Sequence, residues 1–191
     1  MFQRIRVFSV FMILAAVGVL GGCAAPAKVT SMTSMAPGSQ VVNNNSPLKG
    51  KLEVASVVGG EDTNPMWTSE IDNASFKLAL EDSLKYAGLL VAGGNSSEYQ
   101  LDVHLRSVDQ PMVGFSMTVT VVAEYKLYRA GDRSLVWSDQ FSTPYTAQMG
   151  DAFLGTKRLQ LANEGSARAN IKMLIDELLR LDMPAVQVNN S

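Results

Sequence analysis

Cys23 is the only cysteine in 191 residues, so no disulfide within the chain can staple it and the fold has to be held by packing. The position of that cysteine narrows the field further. Ahead of it stand Arg4 and Arg6 with no acidic residue, then an almost unbroken apolar run over residues 7–20, then the small pair Gly21-Gly22. A run of fourteen residues suits the core of an export signal and falls short of the roughly 20 needed to span a bilayer. Residues 1–22 therefore read as a leader, removed by a cut between Gly22 and Cys23.

Leu20-Gly21-Gly22-Cys23 resembles the lipobox of bacterial lipoproteins. The resemblance implies that the Cys23 sulfur takes a diacylglycerol and that its freed amine takes a further acyl chain. The small neighbours admit the cut to a narrow protease site. An ordinary secretory signal with an incidental cysteine is the plainer alternative. Ala24 stands where inner-membrane retention in enteric bacteria uses aspartate, which implies an outer-membrane destination with the domain facing the periplasm. Each buried methylene adds roughly 0.8 kcal/mol, so three acyl chains would anchor the protein durably. Apart from this covalent lipid no cofactor is expected.

Losing Arg4 and Arg6 with the leader leaves 14 basic residues against 18 acidic ones, a net charge of −4, and no basic cluster is denser than Lys157-Arg158. That balance argues against nucleic acid as a partner and against a polybasic membrane patch, so membrane contact is expected through the lipid. Residues 23–48 are poor in charge and rich in Ala, Ser, Pro and Asn, including the triplet Asn43-Asn44-Asn45. Such a stretch is expected to be a tether, because it offers little apolar surface to offset its ordering entropy. A random coil of that length would let the domain roam roughly 25–30 Å from its anchor. The folded domain is then residues 49–183, with 184–191 a frayed tail.

Within the domain the hydrophobic period changes several times. Leu52, Val54 and Ser56 alternate with their neighbours in a short strand ended by Gly59-Gly60. Ile71, Ala74, Phe76, Leu78, Ala79 and Leu84 form a helical stripe over residues 70–87, with caps expected at Thr68 or Ser69 and a stop at Gly88. Residues 89–92 could add a short edge strand. Tyr99, Leu101, Val103 and Leu105 alternate with Gln100, Asp102, His104 and Arg106, giving one dry and one wet face. A second alternation runs from Met117 to Tyr128, and Gly131-Asp132 turns it into a hairpin partner carrying Leu135, Trp137 and Phe141 on one face. After Pro144 a loop is expected over residues 145–155. A last helix then runs from a cap near Thr156 to about Leu181, with Leu159, Ala162, Ala169, Met173, Leu174, Leu178 and Leu181 forming most of its stripe. Gly165 weakens that helix by about 1 kcal/mol and marks either a kink or a close approach to the sheet. The fold class is α+β: a mostly antiparallel four- to five-stranded sheet with two helices packed on one face, in the order β-α-β-β-β-α.

This order, with Leu78-x5-Leu84-x3-Gly88-Leu89-Leu90 in the first helix and its end, resembles the small envelope lipoproteins that assist larger machines. The lipopolysaccharide-assembly lipoprotein that sits inside an outer-membrane barrel is one such family, and the auxiliary lipoproteins of lipid-transporting ABC systems are another. The resemblance covers residues 49–181 and rests on element order, so Cys23 is the one site residue it carries over. It implies an accessory subunit that works by contact with an envelope protein.

Catalytic signals are thin. His104 is the only histidine, no Cys/His cluster exists, and no metal site is expected. Asp102 and His104 share a predicted wet face, but a hydrolase would need a serine brought to them by the fold, since no G-x-S-x-G elbow is present. Glu61-Asp62 could serve acid–base work or calcium, or simply solvate the loop before the helix. Gly59-Gly60 and Gly93-Gly94 extend to no phosphate-cradling pattern, and the six-residue repeat of the hexapeptide acyltransferases is missing. Two apolar loops could serve binding: Met112, Val113 and Phe115 between two strands, and Met149 and Phe153 before the last helix. Each would touch lipid or a partner, or else complete the core. The expected function is a non-catalytic accessory subunit. A lipid-binding or lipid-transfer module is the alternative, and a hydrolase-like enzyme the third reading.

Overall fold

Period-2 alternation in the long strands decides the architecture, because it leaves one face of a sheet that water cannot cover. In the computed structural model, which describes residues 24–35, 46–63, 69–93, 95–111 and 114–181, that sheet has the strands β1 (Leu52–Val58), β2 (Tyr99–Asp109), β3 (Met117–Arg129) and β4 (Leu135–Ala147) in sequence order. β1 and β2 pair in parallel and the other neighbours are antiparallel. A parallel pair cannot be closed by a tight turn, and helix α2 (Asn73–Tyr86) supplies the crossover. Helix α3 (Gly155–Arg180) returns over β3 and β4. Val103 and Leu105 of β2, Val119, Val121, Tyr125 and Leu127 of β3, and Phe76, Leu80, Ile171 and Leu174 of the helices form one buried cluster. The α+β class is as the alternation requires, with four strands.

Several boundaries differ from the pattern, each for a local reason. Asp72, not Thr68 or Ser69, caps α2: its carboxylate accepts from the Ser75 N–H at 2.8 Å. Burial alone would raise the Asp72 pKa, but the hydrogen bonds from Ser75 and the neighbouring backbone outweigh it and hold the carboxyl below its usual value. Ser69 is spent elsewhere, as described below, and Thr68 lies outside the described residues. β4 runs on through Pro144 to Ala147 where a loop was expected. β4 is the last strand of the sheet, and an edge position tolerates a residue with no N–H to donate. Residues 89–92 add only an isolated bridge, Leu90 to Leu52. The N-cap of α3 is Leu154, which gives no side-chain bond and stands two residues ahead of the cap expected near Thr156. Its buried face is also wider and more polar than the apolar stripe, taking in Gln160, Asn163, Glu164, Ser166 and Asn170 while Met173 stays exposed.

Two glycines mark close approaches. Gly59 has φ +87°, and a Cβ there would collide with the Leu105 carbonyl of β2. At Gly165 a Cβ would run into the ring of Tyr145, so α3 and β4 meet where the glycine omits a side chain. Around that contact the polar residues of α3 are bonded into the sheet. Ser166 Oγ accepts from the Val121 N–H at 2.9 Å and donates to Thr143 O, and Thr143 Oγ1 returns a bond to Ser166 O. Asn170 Nδ2 faces Val121 O and Phe141 O, and Asn170 Oδ1 accepts from the Tyr125 hydroxyl at 2.7 Å. Burial pushes the Tyr125 phenol far above its usual pKa, so it stays a donor.

The largest departure is at the N-terminus. Residues 24–35, expected to be tether, form a strap that includes the short helix α1 (Val29–Met32) and runs in contact with both α2 and α3. Ala27 and Met32 are buried in the main core, as is Leu48 of the segment 46–50. Polar side chains of the two long helices close on the strap backbone. Gln160 Nε2 donates to Pro26 O at 2.7 Å, Lys28 N–H to Glu164 Oε1 at 3.0 Å, Arg168 Nη1 to Ser31 O at 2.6 Å, and Ser34 N–H to Ser83 Oγ at 2.9 Å. The average composition hid this, because a strap needs few apolar residues when the receiving helices satisfy its backbone. Residues 36–45 lie outside the described residues.

Candidate functional site

One end of the domain gathers the turns that follow β1, β2 and β4 with the starts of β3, α2 and α3, and there the strap begins. Ser69 Oγ donates to Ala25 O at 2.7 Å, while Ser69 O accepts from Gln110 Nε2 at 3.0 Å and from Asn163 Nδ2. Gln110 Nε2 also meets Glu70 Oε2 at 2.8 Å. Ala25 is thus two hydrogen bonds from the loop after β2, and Pro26 is one from Gln160. Gln160 stands five residues into α3, about 7.5 Å from its start at the helical rise.

Arg158 ties the two apolar loops of this end together. It is 7% exposed; its Nη1 donates to Ala152 O and Phe153 O at 2.8 and 2.9 Å, and its Nη2 to Gly114 O at 3.3 Å. No carboxylate among the described residues pairs with it, and its Nε has no partner. A cation in the first turn of a helix opposes the helix dipole, so the three loop carbonyls are what hold it there. With their backbones fixed by this one guanidinium, Phe115 and Phe153 project into solvent, 82% and 88% exposed. Met149 and Leu154, in the segment that leads into α3, are half-exposed. Of the residues singled out from the sequence, Phe115, Met149 and Phe153 are therefore outside the core and at one end. Met112, Val113, Gly22 and Cys23 lie outside the described residues. Arg158 was missed: in sequence it reads as half of an ordinary basic pair, and only the fold brings Gly114 to it.

The face of the sheet away from the helices is a second candidate. Asp102 accepts from Ser56 Oγ at 2.8 Å and from Arg133 Nη2 at 2.9 Å, and the Arg133 guanidinium lies 4.5 Å from the centre of the Tyr128 ring. Glu124 takes both Lys126, at 3.0 Å, and Arg106. Hydrogen bonds from Lys126 first, then Arg106, hold the Glu124 carboxyl below its usual value. Ser56, Asp102, His104, Glu124 and Lys126 line an open depression of about 200 Å³. The fold thus places a serine beside Asp102 and His104, as a hydrolase would need, but the Ser56 hydroxyl donates to the carboxylate. A relay needs that proton aimed at the imidazole. Glu61 and Asp62 are exposed in the loop before α2, and among the described residues no group of three metal-ligating side chains exists. No helix among the described residues is long and apolar enough to cross a membrane.

No family model matches the chain, and no curated protein matches it. Solved structures do. Protein XCC0632 from Xanthomonas campestris superposes with a TM-score of 0.51 at 18% identity, over 68% of this chain and 83% of that one. The chain shares its fold. Weaker likenesses, each with a TM-score of 0.47, are a Caulobacter crescentus protein provisionally assigned as a lipoprotein (15% identity, 69% and 89% covered) and the PelC dodecamer of Paraburkholderia phytofirmans (16% identity, 69% and 88% covered).

Proposed function

We propose that the chain is a lipoprotein, anchored through Cys23 to the outer membrane, whose domain is a non-catalytic accessory subunit working by protein contact. The observation that carries the contact reading is the uncovered face of the sheet. Two long helices cover one face, while the other presents Asp102, Arg106, Glu124, Lys126 and Arg133 in partly exposed ion pairs. Such pairs contribute little to folding, roughly 0–1 kcal/mol each, and are free to exchange partners at an interface. The edge strand β4 adds a long row of backbone groups beside that face. Anchoring is supported by the leader-like sequence of residues 1–22, by the solitary cysteine and by a strap that joins the fold one residue after it.

The test places a photocrosslinking amino acid at Val122 or Ser142, on the uncovered face, in living cells, and identifies the products by mass spectrometry. A stoichiometric envelope protein crosslinked from this face, and not from Lys172 on the helix layer, supports the accessory reading. Recovery of lipid alone would contradict it in favour of the lipid-handling module. Replacing Cys23 by alanine should leave an uncleaved precursor, and normal processing would remove the anchor.

A further inference from the structure

We propose that Phe115 and Phe153 form a two-pronged wedge that enters the bilayer beside the lipid anchor, so that the domain docks on the membrane by this end and does not swing on a tether. The inference rests on the anchored reading and deepens it. Lipid on Cys23 has one peptide bond between it and Ala24, which is buried, and Ala25 and Pro26 are hydrogen-bonded to Ser69 and Gln160. The strap therefore fixes which end of the domain sits at the membrane. That same end exposes Phe115 and Phe153 almost fully, and leaves Met149 and Leu154 of the segment leading into α3 half-exposed.

Single exposed apolar residues are common, but two phenylalanines on separate loops, pinned by one buried arginine, are costly to leave in water unless they are covered. A bilayer is the cover that the position of the anchor supplies. Charge points to how it is met. Glu61, Asp62, Asp109 and Asp151 are exposed around these turns, so attraction to anionic headgroups is not the source of contact. Burial of the rings is, and binding should be insensitive to salt. Transfer of each ring into the acyl boundary should strengthen partitioning about tenfold or more.

The experiment uses the mature protein purified from the membrane fraction and reconstituted in phosphatidylcholine vesicles that carry nitroxide-labelled lipid. Phe115→Cys, Phe153→Cys and, at the far hairpin, Gly131→Cys each carry a fluorescent label. Labels at 115 and 153 should be quenched by the nitroxide lipid and shielded from aqueous iodide, with the reverse at 131. Equal quenching at all three positions would overturn the wedge. Intact mass of the same samples reads the acyl chains on Cys23 separately. Acylated protein with unquenched loops leaves the anchor standing and removes the wedge. Unacylated protein whose loops are quenched on mixing with vesicles removes the anchor and keeps the wedge. A second measurement sediments with vesicles the chain of residues 23–191 carrying Cys23→Ala and made without the leader, where the Phe115→Ser/Phe153→Ser double variant should bind about a hundredfold more weakly, and unchanged binding would contradict the proposal.

Discussion

Two segments of this chain, both short and both easily taken for loops, meet opposite fates. The strap of residues 24–35 looks like a linker and is built into the helix layer, with Ala27 and Met32 in the core. The loops bearing Phe115 and Phe153 hold larger apolar side chains and leave them in water. The difference lies in the receiving surface. α2 and α3 offer the strap both buried apolar contacts and side chains, Ser83, Gln160, Glu164 and Arg168, that satisfy its backbone. At the loops, Arg158 bonds the backbone, and among the described residues no apolar surface covers the rings. Hydrophobicity alone does not place a segment inside; a partner that also answers its N–H and C=O groups does.

Breaking the strap should have the largest effect. Met32→Ala removes a fully buried side chain and should cost about 2–5 kcal/mol in denaturant unfolding. A cost under about 0.5 kcal/mol would return the strap to the status of a tether. Gly165→Ala presses a methyl group on the Tyr145 ring and should cost about 1–3 kcal/mol, an effect that Tyr145→Ala in the same chain should relieve. Tyr125→Phe takes the donor from buried Asn170 Oδ1 and should cost about 1–3 kcal/mol.

Acid should remove less. Asp72, Glu124 and Asp132 have folded pKa values below their ordinary ones, Asp132 through bonds from the Ser134 hydroxyl and N–H. A depressed folded pKa adds stability that is complete above the ordinary carboxylate range and lost as pH falls through the folded value. Melting temperature should therefore hold near neutrality and decline below about pH 4.5, the ordinary value for Glu124. A decline beginning near pH 6 would place the titration elsewhere. Smallest of all should be Phe115→Ser and Phe153→Ser, each within about 0.5 kcal/mol of the parent stability because neither ring is packed.

How much of this was legible in the sequence depends on the length of the pattern that carries it. β2 and β3 alternate over residues 99–106 and 117–128, and such runs leave little choice of face, so the sheet, its dry side and its hairpin could be read directly. Tyr145 under α3 could not, because Pro144 signals a stop and only an edge position tolerates it. The buried polar residues of α3 lie outside the apolar stripe and carry no signal of their own, since their partners, the Val121, Phe141 and Thr143 backbone, belong to strands far along the chain. At the candidate site the phenylalanines could be named from sequence, but their exposure depends on Arg158 reaching Gly114, a pairing across forty-four residues with no periodic signal.

Amide hydrogen exchange of the mature protein tests most directly whether the strap is part of the fold and so fixes the anchored end. The amides of Ala27, Lys28, Met32, Thr33 and Ser34 all donate to protein acceptors. They should exchange orders of magnitude more slowly than an unfolded chain, in step with the core of α3. Exchange of these amides at unprotected rates, while α3 stays protected, would contradict the account: the domain would then hang from its N-terminus, with no end committed to the membrane.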